Sequence, residues 1–106
     1  ISDIGDMCRT YLCPVNEECQ DLNQIKIIPE RWTALQNGYL KAMGQLLTPF
    51  EKDHFKFSGQ FIIYMQALRF LTDYLQLDQY YHTNRAGQNL DRAHNQIQLL
   101  NQFNVL

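Results

Sequence analysis

The chain has 106 residues, of which 45% are hydrophobic and 12% aromatic, and its formal net charge is −2. These values predict a single globular domain and exclude a disordered or fibrous chain. The nine Lys and Arg residues form no run, so a basic surface for nucleic acid is not expected.

The spacing of cysteine and histidine argues against a metal site. The three cysteines all lie between Cys8 and Cys19, and no two have the C-x-x-C spacing. The three histidines lie far apart, and none has another Cys or His three or four residues away, as structural zinc sites require. The odd number of cysteines, without a signal peptide, predicts free thiols in a reducing compartment.

The first part of the chain predicts one short helix and a polar connection. The helix is expected at Met7 to Leu12, with Asp3 or Asp6 as its N-cap and Pro14 at its end. Residues 15–28 are polar and fit either a loop or a further short helix.

Two prolines mark the starts of the next two helices. Pro29 suits the first turn of an amphipathic helix that runs to about Leu47. Residues 48–51, Thr-Pro-Phe-Glu, form a capping-box pattern that predicts a third helix. Ser58-Gly59 is expected to separate this helix from the next one.

The longest apolar stretch predicts a central helix at roughly residues 60–77. Apolar side chains cover most of its circumference, so we expect other elements to enclose it on nearly every side. Its narrow polar stripe contains Arg69 and Asp73, and these charges also argue against a membrane span. Arg69 and Asp73 are typical of an ion pair on a helix surface, and the alternative is that they line a cavity.

The last helix is predicted to begin at Asn89, as its N-cap, and to bury Leu90, Ala93, Ile97 and Leu100. Together the elements predict an all-α fold in which about five helices pack round a central buried helix. No Gly-rich phosphate loop and no catalytic motif is visible, because the five glycines are scattered along the chain.

Three stretches carry a resemblance to a known family. They are RFLTDYL at residues 69–75 followed by DQYY at 78–81, QNLDRAHNQIQLL at 88–100, and SDIGDMCRT at 2–10. They resemble, in the right order, the C-terminal signature, the closing helix HNLxRAxxQFxL and the YDFGDxxR stretch of the aminoglycoside phosphotransferase-like kinases. The similarity is greatest to the branch that contains the bacterial N-acetylhexosamine 1-kinases.

The resemblance implies a kinase-like fold with two lobes, in which residues 1–106 form one helical subdomain of the larger lobe. In that family the ATP-binding lobe, the H-x-D-x-x-x-x-N catalytic loop and the Asp that holds Mg²⁺ all precede the matching region. We therefore expect a C-terminal fragment that is catalytically incompetent alone, with ATP and Mg²⁺ bound by the cytoplasmic parent. The missing lobe and core should leave an apolar patch exposed, or cause self-association.

The resemblance also implies roles for individual residues. Arg69 and Tyr80 correspond to residues that contact the sugar, through guanidinium hydrogen bonds and through a hydroxyl or an apolar face. The alternatives are that Arg69 pairs with Asp73 and that Tyr80 packs against a neighbouring tyrosine. Asp73 is expected to orient Arg69, and Asp6 to brace the catalytic loop or simply to cap its helix.

The implied reaction is phosphorylation of an N-acetylhexosamine at its anomeric hydroxyl. Other acceptors of the same kinase class are an aminoglycoside, choline or a homoserine-like alcohol, but a cationic acceptor calls for several carboxylates and the central stripe offers only Asp73. A helical interaction module without chemistry is the other alternative. The chain departs from the family at Leu77, where Gly is usual, at His94, where Arg is usual, and at His82, where Lys or Arg is common.

Overall fold

A computed structural model describes residues 2–106 and contains five α-helices and no strand within that range. A short 3-10 turn, Leu22–Gln24, lies in the connection between the first two helices. The predicted all-α fold is confirmed. The five helices are α1 (Ser2–Tyr11), α2 (Pro29–Met43), α3 (Pro49–Asp53), α4 (Phe55–Leu75) and α5 (Gln88–Asn104).

Helix α4 is the central element, since both α1 and α5 pack along it. Its buried positions recur every three or four residues, which places them on one helix face. That face meets apolar side chains of α1 and α5, and the half-buried Trp32 of α2 adds an edge-on contact with Phe103 at 5.1 Å. The core side chains from α1, α4 and α5 include Ile4, Cys8, Phe55, Ile63, Leu99 and Phe103.

The prediction that α4 is enclosed on nearly every side is wrong. Helices α1 and α5 cover one face, and among the described residues nothing covers the opposite face. We call the uncovered face the exposed stripe. Its side chains alternate at spacings of four and three residues, and each is 38–70% exposed: Phe57, Phe61, Tyr64, Leu68, Leu71 and Leu75.

The boundary between α3 and α4 differs from the prediction. The helices separate at His54, which leaves helical geometry with φ −110° and ψ 19°, so Gly59 lies inside α4. Glycine is needed at position 59 because the helices cross closely there. A Cβ would lie 2.6 Å from the Phe103 ring and 3.0 Å from Cys8. Glycine in this chain thus marks helix packing where the sequence pattern indicated a helix end.

The first three helices confirm some predicted ends and correct others. The capping box at residues 48–51 is formed, with the Thr48 hydroxyl accepting from the Glu51 N–H at 3.2 Å. Helix α2 begins at Pro29 as predicted but ends at Met43. Helix α1 begins at Ser2, five residues earlier than predicted, so neither Asp3 nor Asp6 is an N-cap.

The last helix is rotated relative to the prediction. Gly87, with φ 78°, is its N-cap, and Asn89 lies within the first turn with its side chain fully buried. Ile97 is 42% exposed, whereas Gln96 beside it is buried. The cause is that this face of α5 meets polar partners. Asn89 donates to Asp73 of α4, Asn95 donates to two backbone carbonyls of the connection between α1 and α2, and Gln96 donates to Asn95.

The cysteines are free, as predicted, and Cys8 lies in the core. Burial raises the pKa of the Cys8 thiol to about 12, so this group is protonated at neutral pH. Within residues 2–106, no helix combines the length and the apolar character needed to cross a bilayer.

Two glycines give a test of the helix packing. Gly5 lies where α1 crosses α4, and a Cβ there would approach the backbone oxygen of Ser58 to 2.7 Å. Gly5→Ala should lower the free energy of unfolding by about 1–3 kcal/mol, as overpacking does. Gly38→Ala is the matched control, because a Cβ at position 38 of α2 meets nothing within 4 Å. It should raise stability by up to ~1 kcal/mol through helix propensity.

Urea unfolding followed by circular dichroism measures both effects. Equal stability of the two alanine variants would contradict the close crossing of α1 and α4.

Candidate functional site

A cleft of about 550 Å³ lies at the C-terminal end of α4, between this helix and the segment that follows it. Its size is in the range of small-molecule sites. It contains both residues predicted to contact substrate, and substrate contact itself stays a prediction. The lining side chains are Met65, Leu68, Arg69, Thr72, Asp73, Gln76, Tyr80 and Tyr81.

Arg69 carries a guanidinium that is available to a ligand. The side chain is exposed, and it has no hydrogen-bond or ion-pair partner among residues 2–106. Asp73 therefore forms no hydrogen bond or ion pair with Arg69 within residues 2–106, and the expectation that it orients Arg69 is wrong. A guanidinium has five N–H donors and no acceptor, so Arg69 would bind oxygen atoms of a ligand.

Asp73 instead binds the backbone of the segment after α4. Its side chain is buried, with 3% of its surface exposed. One carboxylate oxygen, Oδ1, accepts from the Tyr80 N–H at 2.8 Å, and the other, Oδ2, accepts from the Tyr81 N–H at 3.0 Å. Oδ2 also accepts from the Asn89 side-chain amide at 2.8 Å.

These hydrogen bonds keep Asp73 ionised. Burial alone would raise the pKa of the carboxyl, but the N–H groups of Tyr81 and Tyr80 and the Asn89 amide outweigh it and hold the pKa below its ordinary value of 3.8. A buried charge is tolerated when hydrogen bonds replace the lost water. The carboxylate is thus a structural anchor at neutral pH.

The turn between α4 and this segment has an unusual backbone. Leu77 and Asp78 have φ of 68° and 60°, in the left-handed region that non-glycine residues enter at a cost of about 1–2 kcal/mol each. Their N–H groups close the helix end, Leu77 to the Tyr74 carbonyl at 3.2 Å and Asp78 to the Asp73 carbonyl at 2.8 Å. The turn therefore forms with leucine, and not glycine, at position 77.

Tyr80 and Tyr81 form one wall of the cleft. Tyr80 is 82% exposed and meets Tyr81 edge-on at 4.8 Å, so it packs against its neighbour and also lines the cleft. Tyr81 is fixed more firmly. Its ring lies 4.9 Å from Phe70, and its hydroxyl accepts from the Gln66 side chain at 3.1 Å.

A polar network behind the cleft connects it to α5. The Asn89 side-chain amide donates to Asp78 Oδ1 at 3.1 Å as well as to Asp73. Its side-chain oxygen, Oδ1, accepts from Arg92 Nη1 at 2.9 Å. Arg92 Nη1 also donates to the His82 carbonyl at 3.0 Å. These bonds tie the turn, the segment after it and the closing helix into one unit.

The network continues into the connection between α1 and α2. Arg92 forms an ion pair with Glu18 at 2.8 Å, and the Gln88 amide donates to the other Glu18 oxygen at 2.7 Å. Burial opposes the ionisation of Glu18, but the hydrogen bonds from Arg92 and Gln88 lower its pKa. Sequence patterns gave no signal for Glu18, whereas Asn89 and Arg92 both lie in the stretch that resembles the closing helix.

Asp6 lies elsewhere. Its carboxylate is 68% exposed on α1 and comes within 3.5 Å of Arg9 Nε, and it does not line the cleft. Bracing of a catalytic loop by Asp6 stays a prediction. Within residues 2–106 no three His, Cys, Asp or Glu side chains converge to hold a metal ion.

Comparison with models of protein families finds none that matches the chain. The site is therefore interpreted from its geometry. It combines an unpaired guanidinium, an exposed aromatic ring and a carboxylate whose oxygens are already used by N–H donors. This arrangement can bind a neutral or anionic molecule that carries several oxygen atoms.

The ionised state of Asp73 predicts a dependence of stability on pH. Because the folded-state pKa lies below the unfolded value, the stabilisation is complete above about pH 5 and is lost as pH falls through the folded pKa. Asp73→Asn should be less stable than wild type at pH 7, and the difference should shrink at acid pH. Urea unfolding at steps from about pH 7 to pH 3 measures it. A difference that stays constant over this range would contradict the role of the charge.

Proposed function

We propose that the chain is the acceptor-binding helical part of a cytoplasmic, ATP-dependent small-molecule kinase that phosphorylates an N-acetylhexosamine at its anomeric hydroxyl. One observation carries the proposal. Residues from two of the stretches that resemble the kinase family converge on one cleft and its support. They are Arg69, Asp73, Tyr80, Asn89 and Arg92.

The cleft has the chemistry that a neutral sugar requires. Arg69 offers several N–H donors to sugar oxygens, and Thr72 and Gln76 add groups that both donate and accept. The Tyr80 ring offers an apolar face to the C–H groups of a sugar ring. Met65 and Leu68 supply apolar surface suited to an N-acetyl methyl group.

The charge distribution argues against the alternative acceptors. An aminoglycoside, choline or a homoserine-like alcohol carries a positive charge, and a cationic acceptor calls for several carboxylates around the cleft. Among residues 2–106, Asp73 is the only carboxylate that lines the cleft, and its oxygens already accept three N–H groups. The nearby Arg69 charge would repel a cation, so a neutral sugar fits better.

The exposed stripe supports a larger parent. Six large apolar side chains on one helix face are more than a self-sufficient surface normally leaves open. The radius of gyration is 14.7 Å, whereas about 13 Å is typical for a compact domain of this length. In the proposed parent, the catalytic core covers the stripe.

The residues of this chain suit it to bind the acceptor, and the other catalytic roles would belong to the rest of the parent. Arg69 and Tyr80 would hold and orient the acceptor, because positioning is a large part of phosphoryl-transfer catalysis. The general base, the metal and the nucleotide would be held by the rest of the parent. The chain alone should therefore bind an acceptor weakly and transfer no phosphate.

A helical interaction module without chemistry is the second candidate, and the exposed stripe favours it. The alternation of four and three residues is the spacing with which one helix packs along another. This candidate and the kinase make opposite predictions about phosphate transfer, so one assay separates them.

That assay uses the full-length gene product with ATP, Mg²⁺ and two panels of acceptors, the first of cationic alcohols (an aminoglycoside, choline and homoserine) and the second of N-acetylhexosamines. Wild type should phosphorylate one of them, and Arg69→Ala should lower kcat/KM about 10- to 100-fold, since a hydrogen bond from a charged group is lost. Arg85→Ala is the matched control. Arg85 is exposed, lies outside the cleft and pairs with Asp91 at 2.6 Å, so its removal should leave kcat/KM within about twofold.

Each outcome separates the candidates. If the protein phosphorylates a cationic alcohol and no hexosamine, the proposed acceptor is wrong and the proposed kinase activity stands. A folded full-length protein that phosphorylates none of these acceptors would favour the interaction module.

The exposed stripe predicts self-association of the 106-residue chain alone. Phe61→Ser combined with Leu71→Ser should make it monomeric, because both side chains lie on the stripe and outside the cleft. Leu46→Ser is the control, since Leu46 is 75% exposed and lies off the stripe. Sedimentation velocity at rising concentration measures the effect. A wild-type chain that stays monomeric, or a stripe variant that associates like wild type, would contradict it.

A further inference from the structure

We infer that Asp73 and Asn89 are positioning residues for the acceptor cleft, which act by holding Tyr80 and Tyr81 against the end of α4. The inference deepens the proposed function and rests on it for the identity of the ligand. It is based on the hydrogen bonds of these two side chains and on the backbone conformation of the turn between them.

The Asp73 carboxylate provides the hydrogen-bond acceptors that a neighbouring strand would provide for an extended segment. Residues 80 and 81 follow a turn and belong to no helix, so their N–H groups have no helical partner. The two oxygens of Asp73 supply one acceptor to each N–H, at 2.8 and 3.0 Å. This pairing fixes the direction in which the two tyrosine side chains leave the backbone, and so fixes one wall of the cleft.

The turn needs this restraint because its backbone is strained. Leu77 and Asp78 both have positive φ, and neither is glycine. Such a turn persists only where surrounding contacts determine it. Asn89 supplies one contact by donating to Asp78 Oδ1 and to Asp73 together, and this places the turn and the carboxylate in a fixed relation.

Asn89 itself has no freedom to reorient. Its side chain is fully buried, and its carbonyl oxygen accepts from Arg92, whose position is set in turn by Glu18 and by the His82 carbonyl. The amide therefore presents its N–H₂ group to the two aspartates in one orientation only. Loss of either Asp73 or Asn89 should release Tyr80 and Tyr81 while Arg69, the proposed ligand contact, stays in place.

The first measurement is amide hydrogen exchange by NMR on the 106-residue chain. In Asp73→Asn and in Asn89→Ala, the Tyr80 and Tyr81 amides should exchange on the order of tenfold or more faster, because they lose their acceptor or its support. The Ala67 amide, inside α4, reports general destabilisation and is the internal reference. If the Tyr80 and Tyr81 rates stay unchanged relative to Ala67, the inference is overturned.

The second measurement is steady-state kinetics on the full-length protein. Both variants should raise the acceptor KM about tenfold or more, as loss of a supporting hydrogen bond does at other sites, and leave the KM for ATP and kcat within about twofold. Rates of exchange that rise while the acceptor KM stays at the wild-type value would also overturn the inference, and this result would leave the proposed kinase activity untouched.

A glycine at position 77 provides a rescue. Leu77→Gly removes the strain of one turn residue, and Leu77 is not a lining residue of the cleft, so this substitution alone should leave the acceptor KM within about twofold. In Asp73→Asn/Leu77→Gly the turn needs less restraint, and the acceptor KM should return part of the way to wild type. Absence of any rescue would show that Asp73 acts other than through the turn.

The two conclusions fail separately. A wild-type protein that phosphorylates no hexosamine overturns the proposed function, whereas the amide exchange of Tyr80 and Tyr81 decides the positioning role without any substrate.

Discussion

The buried carboxylate of Asp73 is the constraint on which the functional end of the molecule depends. A charge removed from water must find hydrogen-bond donors close by, and here they come from the segment after α4 and from α5. Satisfying that one group therefore brings three parts of the chain together. The cleft exists because the segment that contains Tyr80 and Tyr81 is held across the end of α4 in this way.

Much of the fold could be predicted because local signals agreed with the final packing. The capping box at residues 48–51 and Pro29 each fixed a helix start, since cap chemistry acts within one turn. The helix end predicted at Ser58-Gly59 was wrong, because the sequence does not distinguish a glycine required by a close helix crossing from a glycine that ends a helix. Which face of α4 is buried depends on the positions of α1 and α5, and periodicity within α4 holds no information about them.

In the candidate site, too, some features could be predicted from the sequence and others depend on tertiary structure. Arg69 and Tyr80 were singled out by resemblance and both line the cleft, but the partner of Asp73 was not predictable. A spacing of four residues favours an ion pair with Arg69, whereas tertiary structure offers three N–H donors instead. No local pattern indicates a role for Glu18, because its partners Gln88 and Arg92 belong to α5, 70 and 74 residues away along the chain.

Leu68 belongs both to the exposed stripe and to the lining of the cleft. In the proposed parent, whatever covers the stripe must therefore border the acceptor, and docking and acceptor binding share one apolar surface. Arg69 follows Leu68 directly and has no partner within residues 2–106, so its charge would point into the same junction. The half-open cleft and its guanidinium are consistent with the proposal that one wall of the acceptor site is formed by this chain and the other by the rest of the parent.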